Sequence, residues 1–250
     1  MNRPKQSTTA TTVAPEPTAK STQKRLRSFA SPEQAAILSR FFKTGPGQYG
    51  EGDKFIGVKV PTTRKVAKEF GNLPLSEIEC LLHSKIHEER LLALVILVGQ
   101  FEKGDDATRR RIYNFYVANI RYVNNWDLVD LSAPQIVGAY LEKRNRTPLF
   151  RMACSRSLWK RRISIIATLY FIRRGDFANT MCIAEKMTLF EKEDLIHKAV
   201  GWMLREVGKR DVAVLEEFLT QHCRVMPRTM LRYAVERLAE GKRRKYMGVG

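Results

Sequence analysis
An all-α fold, built as helices paired by short loops, is what this sequence predicts. Three observations carry it. Apolar residues recur at helical spacing in segment after segment from residue 31 onward. Turn signals separate the segments, at Gly104-Asp105, Asn145-Arg146, Gly175-Asp176 and Met226-Pro227. β-alternation of useful length is absent.

Residues 1–28 are rich in Thr, Ser, Pro, Lys and Ala and show no hydrophobic period, so a disordered basic arm is expected there. Their Ser/Thr content and near-lack of acids also suit an organellar address, against which the prolines count. Order is expected from Ser31-Pro32-Glu33-Gln34: Ser31 is a good N-cap, Pro32 fits the first helical position and Gln34 completes a capping box. That helix should reach about Lys43. The loop Thr44 to Asp53 holds four glycines and a proline but lacks a G-K-S/T ending, so a nucleotide P-loop is not expected. Pro61 opens the next helix, bearing Arg64, Lys65 and Lys68. Further helices are expected near 76–83, 86–102, 106–119, 125–141, 147–155, 157–174, 176–187, 191–208, 211–222 and 227–239. Pairs at roughly 35 to 40 residues each have the spacing of a HEAT-like α-helical repeat solenoid, with a basic concave face suited to a duplex. The layout is then an arm over 1–30, a folded domain over 31–240 and a basic C-terminal tail over 241–250.

The charge balance supports the basic face. The chain carries 44 Lys+Arg against 26 Asp+Glu, a formal net charge of +18. Residues 1–30 and 240–250 hold +5 and +3 of it, which leaves +10 on the folded part. Such a surplus points to a polyanion, most often nucleic acid; the plain alternative is a soluble basic protein. Four cysteines, Cys80, Cys154, Cys182 and Cys223, are far apart in helical contexts and form no C-x-x-C. They are expected to be reduced core residues of a cytosolic or nuclear protein. His83 and His87 stand four apart without the acid of a metal motif, so no metal or other cofactor is expected. The longest apolar run, Leu91 to Val98, is too short to span a bilayer. A cytoplasmic or nucleoid-associated monomer is expected.

The chemistry-bearing stretch is Tyr122 to Asp130. Asn124 or Asn125 can cap the helix that follows, which puts Trp126 and Asp130 four apart on one face. Pro134 lacks the N–H that would bond the Asp130 carbonyl, so the helix should distort just past the carboxylate. A core Trp beside a capping Asp is the bland reading. In 191–208, Ile196, Ala199, Val200, Met203, Leu204 and Val207 form an apolar stripe. Lys198, Trp202, Arg205 and Lys209 form a second stripe beside it, which places Trp202 among cations at a surface or groove. The helix from Leu158 begins Trp159-Lys160-Arg161-Arg162, three cations in a turn whose dipole prefers anions. A bound phosphate would offset that cost. For the similar run Arg109 to Arg111, a solvated face is the favoured reading.

Three motifs share the order and spacing of one known family: Asn125-Trp126-Asp127-Leu128-Val129-Asp130, Leu158-Trp159-Lys160-Arg161-Arg162, and Ala199-Val200-Gly201-Trp202-Met203-Leu204-Arg205-Glu206. Over roughly residues 32–240 the chain resembles the DNA alkylation repair glycosylases of the AlkD family. The resemblance implies removal of N3- and N7-alkylated purines from double-stranded DNA without turning the base into a pocket. It further implies that Trp126, Asp130 and Trp202 are the catalytic trio and Arg162 a backbone-contacting arginine. Arg205, Lys198 and Arg161 would add DNA contacts, and Tyr49 stands near the position of a tyrosine close to the DNA. Asn125 replaces a second Trp of some relatives. The rival readings are a non-catalytic HEAT-repeat scaffold for nucleic acid or a protein partner, and a helical adaptor for acidic proteins.

Overall fold
The computed structural model describes residues 17–248. Helices account for the fold: α1 (Ala19–Arg27), α2 (Pro32–Phe41), α3 (Val60–Glu69), α4 (Leu75–Leu82), α5 (His87–Lys103), α6 (Asp106–Ala118), α7 (Trp126–Ser132) and α8 (Ala139–Leu141) come first. Then follow α9 (Thr147–Ala153), α10 (Leu158–Ala167), α11 (Leu169–Ile172), α12 (Ala178–Phe190), α13 (Asp194–Gly208), α14 (Val212–His222), α15 (Arg228–Ala234) and α16 (Glu240–Met247). Among the described residues no strand forms, only the isolated bridge Lys54–Ile86. No helix there is long and apolar enough to cross a membrane.

The helices form a row with companions. α5 packs on α7, α7 on α10, α10 on α13 and α13 on α15, while α4, α6, α9, α12 and α14 each pack against a member of that row. Apolar side chains from the whole row share one core. Close approach of α13 to α15 needs Gly201, because a Cβ there would collide with the Met230 carbonyl.

Local chemistry sets the ends. Ser31 accepts from the Gln34 amide and Asp105 from the Thr108 amide, each capping its helix. The distortion expected past Asp130 is present: α7 stops at Ser132 and a π-helical segment, Ala133–Gly138, carries the chain around Pro134. The helix expected over 157–174 breaks at Thr168 into α10 and α11.

Three expectations are corrected. Residues 17–28 of the supposed disordered arm hold α1, opened by a Thr18/Ser21 capping box. Leu26 is fully buried, Arg27 pairs with Glu89 at 2.7 Å and the Ala19 amide bonds Glu77 at 2.6 Å. The inward positions are Ala19, Thr22 and Leu26, and a threonine among them hides the period. Residues 1–16, the remainder of that arm, lie outside the described residues. The supposed C-terminal tail likewise contains α16, whose Tyr246 is buried and whose Met247 carbonyl accepts from Arg228. Of the cysteines only Cys223 is buried, since Cys80, Cys154 and Cys182 face outward on their helices.

Candidate active site
Asn125 begins the site. Its carbonyl oxygen accepts from the Trp126 amide at 2.8 Å, and its amide donates to Asp53 at 3.0 Å. The cap starts α7 and fixes where Trp126 and Asp130 emerge. Trp126 stacks on Phe42 with centroids 5.1 Å apart and meets Phe41 edge-on at 5.9 Å. From α13, Trp202 faces the same space and donates to Glu206 at 3.3 Å. The two indoles, Phe41, Tyr49, Arg162, Lys198 and Arg205 line one cavity of about 420 Å³, with Leu195 and Tyr233.

Asp130 is paired with Arg162 and is the more exposed of the two, 17% of its side chain against 6%. Its two oxygens accept from Arg162 Nε at 2.9 Å and Nη2 at 2.8 Å, and Arg162 Nη1 donates to the Leu195 carbonyl at 2.6 Å. This two-pronged pairing is the geometry of an ionised carboxylate. Burial pushes the Asp130 carboxyl up from its ordinary range; Arg162 pulls it back without cancelling the rise, and the charge of Asp127 adds to it.

The structure brings together Trp126, Trp202, Arg162, Arg205, Lys198 and Tyr49 around the cavity, with Asp130 bonded to Arg162. Arg161 is not among them. It grips Glu191 at 2.6 Å and donates to the Ser155 and Arg156 carbonyls. Two of the three cations opening α10 therefore find carboxylates, Glu191 for Arg161 and Asp130 for Arg162, so a bound phosphate is not required to offset their cost at the helix start. Lys198 pairs with Asp194 at 2.8 Å, a bond that raises its ammonium above the usual range and keeps it cationic. Arg205 pairs with Glu236, and its Nε is buried without a partner.

Two features were not legible beforehand. Phe41, 61% exposed, extends the cavity wall from the end of α2; the Phe41-Phe42 pair ahead of a glycine-rich loop was the available signal. The second is a buried charge cluster under Trp126. His87 Nε2 faces Asp127 at 2.8 Å and Nδ1 faces Asp53 at 3.2 Å, while Arg90 holds Asp53 at 2.6 Å. The carboxylates that meet His87 come from distant segments, Asp53 and Asp127, and not from its neighbours Glu88 and Glu89. Among the described residues no group of His, Cys, Asp and Glu could hold a metal ion.

A basic, all-α stack of helices with an aromatic cavity rimmed by cations is the arrangement of a helical protein that handles nucleic acid. The chain belongs to the DNA alkylation repair enzyme family, whose model matches residues 22–238. It is accordingly a DNA repair enzyme of the alkylation type. A solved structure described as a predicted DNA alkylation repair enzyme from Enterococcus faecalis is 20% identical, with a TM-score of 0.66, over 84% of this chain and 97% of that one. That likeness supports the fold. No curated protein sequence matches the chain.

Proposed function
We propose that this enzyme is a DNA glycosylase that releases cationic N3- and N7-alkylated purines from double-stranded DNA. The observation that carries the reading is the convergence of Trp126, Trp202 and the Asp130–Arg162 pair on one cation-rimmed cavity.

The lesion suits these residues. An N3- or N7-alkylated purine is already positive and leaves without an acid to protonate it. The C1′–N bond breaks, its electron pair goes to the purine and quenches the ring charge, and the deoxyribose becomes an oxocarbenium ion. Water then adds to C1′ and loses a proton, for which Asp130 is the acceptor. A carboxylate about 4 Å from the sugar, at an effective dielectric of about 20, attracts it by about 4 kcal/mol. Each indole face adds about 0.5–2 kcal/mol for a nearby cation. Lys198 and Arg205 meet backbone phosphates, which set register and carry no sequence reading. Arg162 keeps two of its five N–H groups for a phosphate while it aims Asp130. With the sugar held against the cavity wall, the base need not be turned out of the helix. Tyr49, edge-on to Trp159 at 6.4 Å, overhangs the same wall.

The test is to incubate the protein with randomly methylated duplex DNA and identify the released bases. Release of 7-methylguanine or 3-methyladenine is expected. Binding without release of any base would favour a non-catalytic repair scaffold.

A further inference from the structure
The buried cluster beneath Trp126 has no part in binding DNA, since His87 and Asp53 are almost wholly enclosed. It has a definite chemistry nonetheless. Both ring nitrogens of His87 face carboxylate oxygens, of Asp53 and of Asp127. An ionised carboxylate only accepts, so both nitrogens must carry protons and the ring is a cation. Charges then balance: Asp53 and Asp127 against His87 and Arg90. Arg90 donates to Asp53 and the Ser84 carbonyl, and its Nη2 lies 3.5 Å from His87 Nδ1, farther than the Asp53 oxygen at 3.2 Å, which leaves His87 as the cation on Asp127. The other Asp127 oxygen is buried with no partner.

Asp127 lies one helical turn from Asp130 and adds to the rise of its carboxyl. The same His87 ring also touches the aromatic wall. It stacks on Phe55 at 4.6 Å and lies tilted against Phe42 at 4.9 Å, and Phe42 stacks on Trp126. One imidazole thus meets the site along two routes, through the carboxylate beside Trp126 and through the ring beneath it.

We propose that His87 is a positioning residue for the excision reaction: its cation neutralises Asp127, which keeps Asp130 ionised, and its ring seats the Phe42–Trp126 stack. This rests on the glycosylase reading. Other charged groups do not offer a substitute. Glu88 is turned to the amides of Ile56, Gly57 and Val58, and Glu89 to Arg27, Gln23 and Ser84. Asp130 faces Arg162 from α10 and the Tyr116 hydroxyl from α6, which is held by Ser132. Burial pushes the His87 ring down, yet the bonds to Asp127 and Asp53 outweigh it and the ring sits above the ordinary histidine range.

The experiment follows the Asp130 carboxyl by 13C NMR, identified by its loss in Asp130→Asn, in the full chain and two variants. His87→Gln keeps a donor to one carboxylate and removes the charge; the Asp130 midpoint is expected to move to higher pH. Asp127→Asn removes the repelling charge and should move it to lower pH. Excision runs alongside, and the His87→Gln rate relative to wild type should fall further as pH drops from about 8 to about 5. A purely structural histidine would lower the rate equally at every pH. An Asp130 midpoint unmoved in both variants, or a neutral His87 ring at pH 7 in the wild-type 15N spectrum, overturns the proposal. If His87→Gln does not fold, Asp127→Asn and the wild-type ring decide. If the wild type releases no base, the glycosylase reading fails while the two titrations still judge this one.

Discussion

Replacing Asp130 by Asn tests the chemistry most directly. The carboxylate term is about 4 kcal/mol for a sugar cation about 4 Å away at a dielectric of about 20. Arg162 opposes it: with the sugar on the open side of the carboxylate and the guanidinium on the far side, about 7 Å from the cation, the repulsion is about 2.4 kcal/mol at that dielectric. In Asp130→Asn the attraction goes and the repulsion stays, so excision should slow by about 10³-fold. Removing both charges in Asp130→Asn/Arg162→Gln should cost only the net of about 1.8 kcal/mol, or about 20-fold. The double variant is thus expected to be faster than the single one. The assay is single-turnover release of 7-methylguanine with enzyme in excess over duplex, so that weaker binding does not enter the rate. A wild-type rate in Asp130→Asn would remove the carboxylate from the mechanism. A double variant as slow as the single one would refute the assignment of Arg162 as an opposing charge.

Further expectations concern binding, folding and pH. Lys198→Ala and Arg205→Ala should each reduce the slope of log affinity against log salt by about 1 on undamaged duplex, measured by fluorescence anisotropy; Arg161→Ala, turned to Glu191, should leave that slope alone. Leu26→Ala should lower unfolding stability by about 2–5 kcal/mol in urea, whereas a residue in a loose arm would be silent. His87 titrates above the ordinary histidine range in the folded state, so its stabilisation is full below the unfolded value and fades as pH rises through the folded one. Thermal melts should therefore show stability falling as pH rises above the ordinary histidine range, a fall that His87→Gln flattens.

Much of the site was legible because its residues sit in short runs with helical spacing. Trp126 and Asp130 are four apart on a capped helix, and the cap alone puts them on one face. Trp202 beside Lys198 and Arg205 stood outside an apolar stripe, and a tryptophan so placed is half-buried at a cavity wall. Pro134 foretold the break in α7 because a missing N–H is a local fact. What stayed hidden was pairing across distance. Arg161 and Arg162 are adjacent cations in sequence, yet each found its own carboxylate about 30 residues away. The period of α1 was masked by Thr22, which is buried with its hydroxyl returned to the Thr18 carbonyl.

The sequence by itself determined the helices between residues 31 and 240, their order, the basic surplus, and Trp126, Trp202, Arg162, Lys198 and Arg205 as side chains that meet at the cavity. Each of these follows from near-neighbour spacing and composition, where a residue's partners lie within a turn or two. Only the tertiary structure decided which charges remain available. Asp130 is held by Arg162 from α10, and Asp127 and Asp53 are joined through His87 from α5. An ion pair depends on distance in space and on exclusion of water, and neither is written along a chain until its helices are stacked.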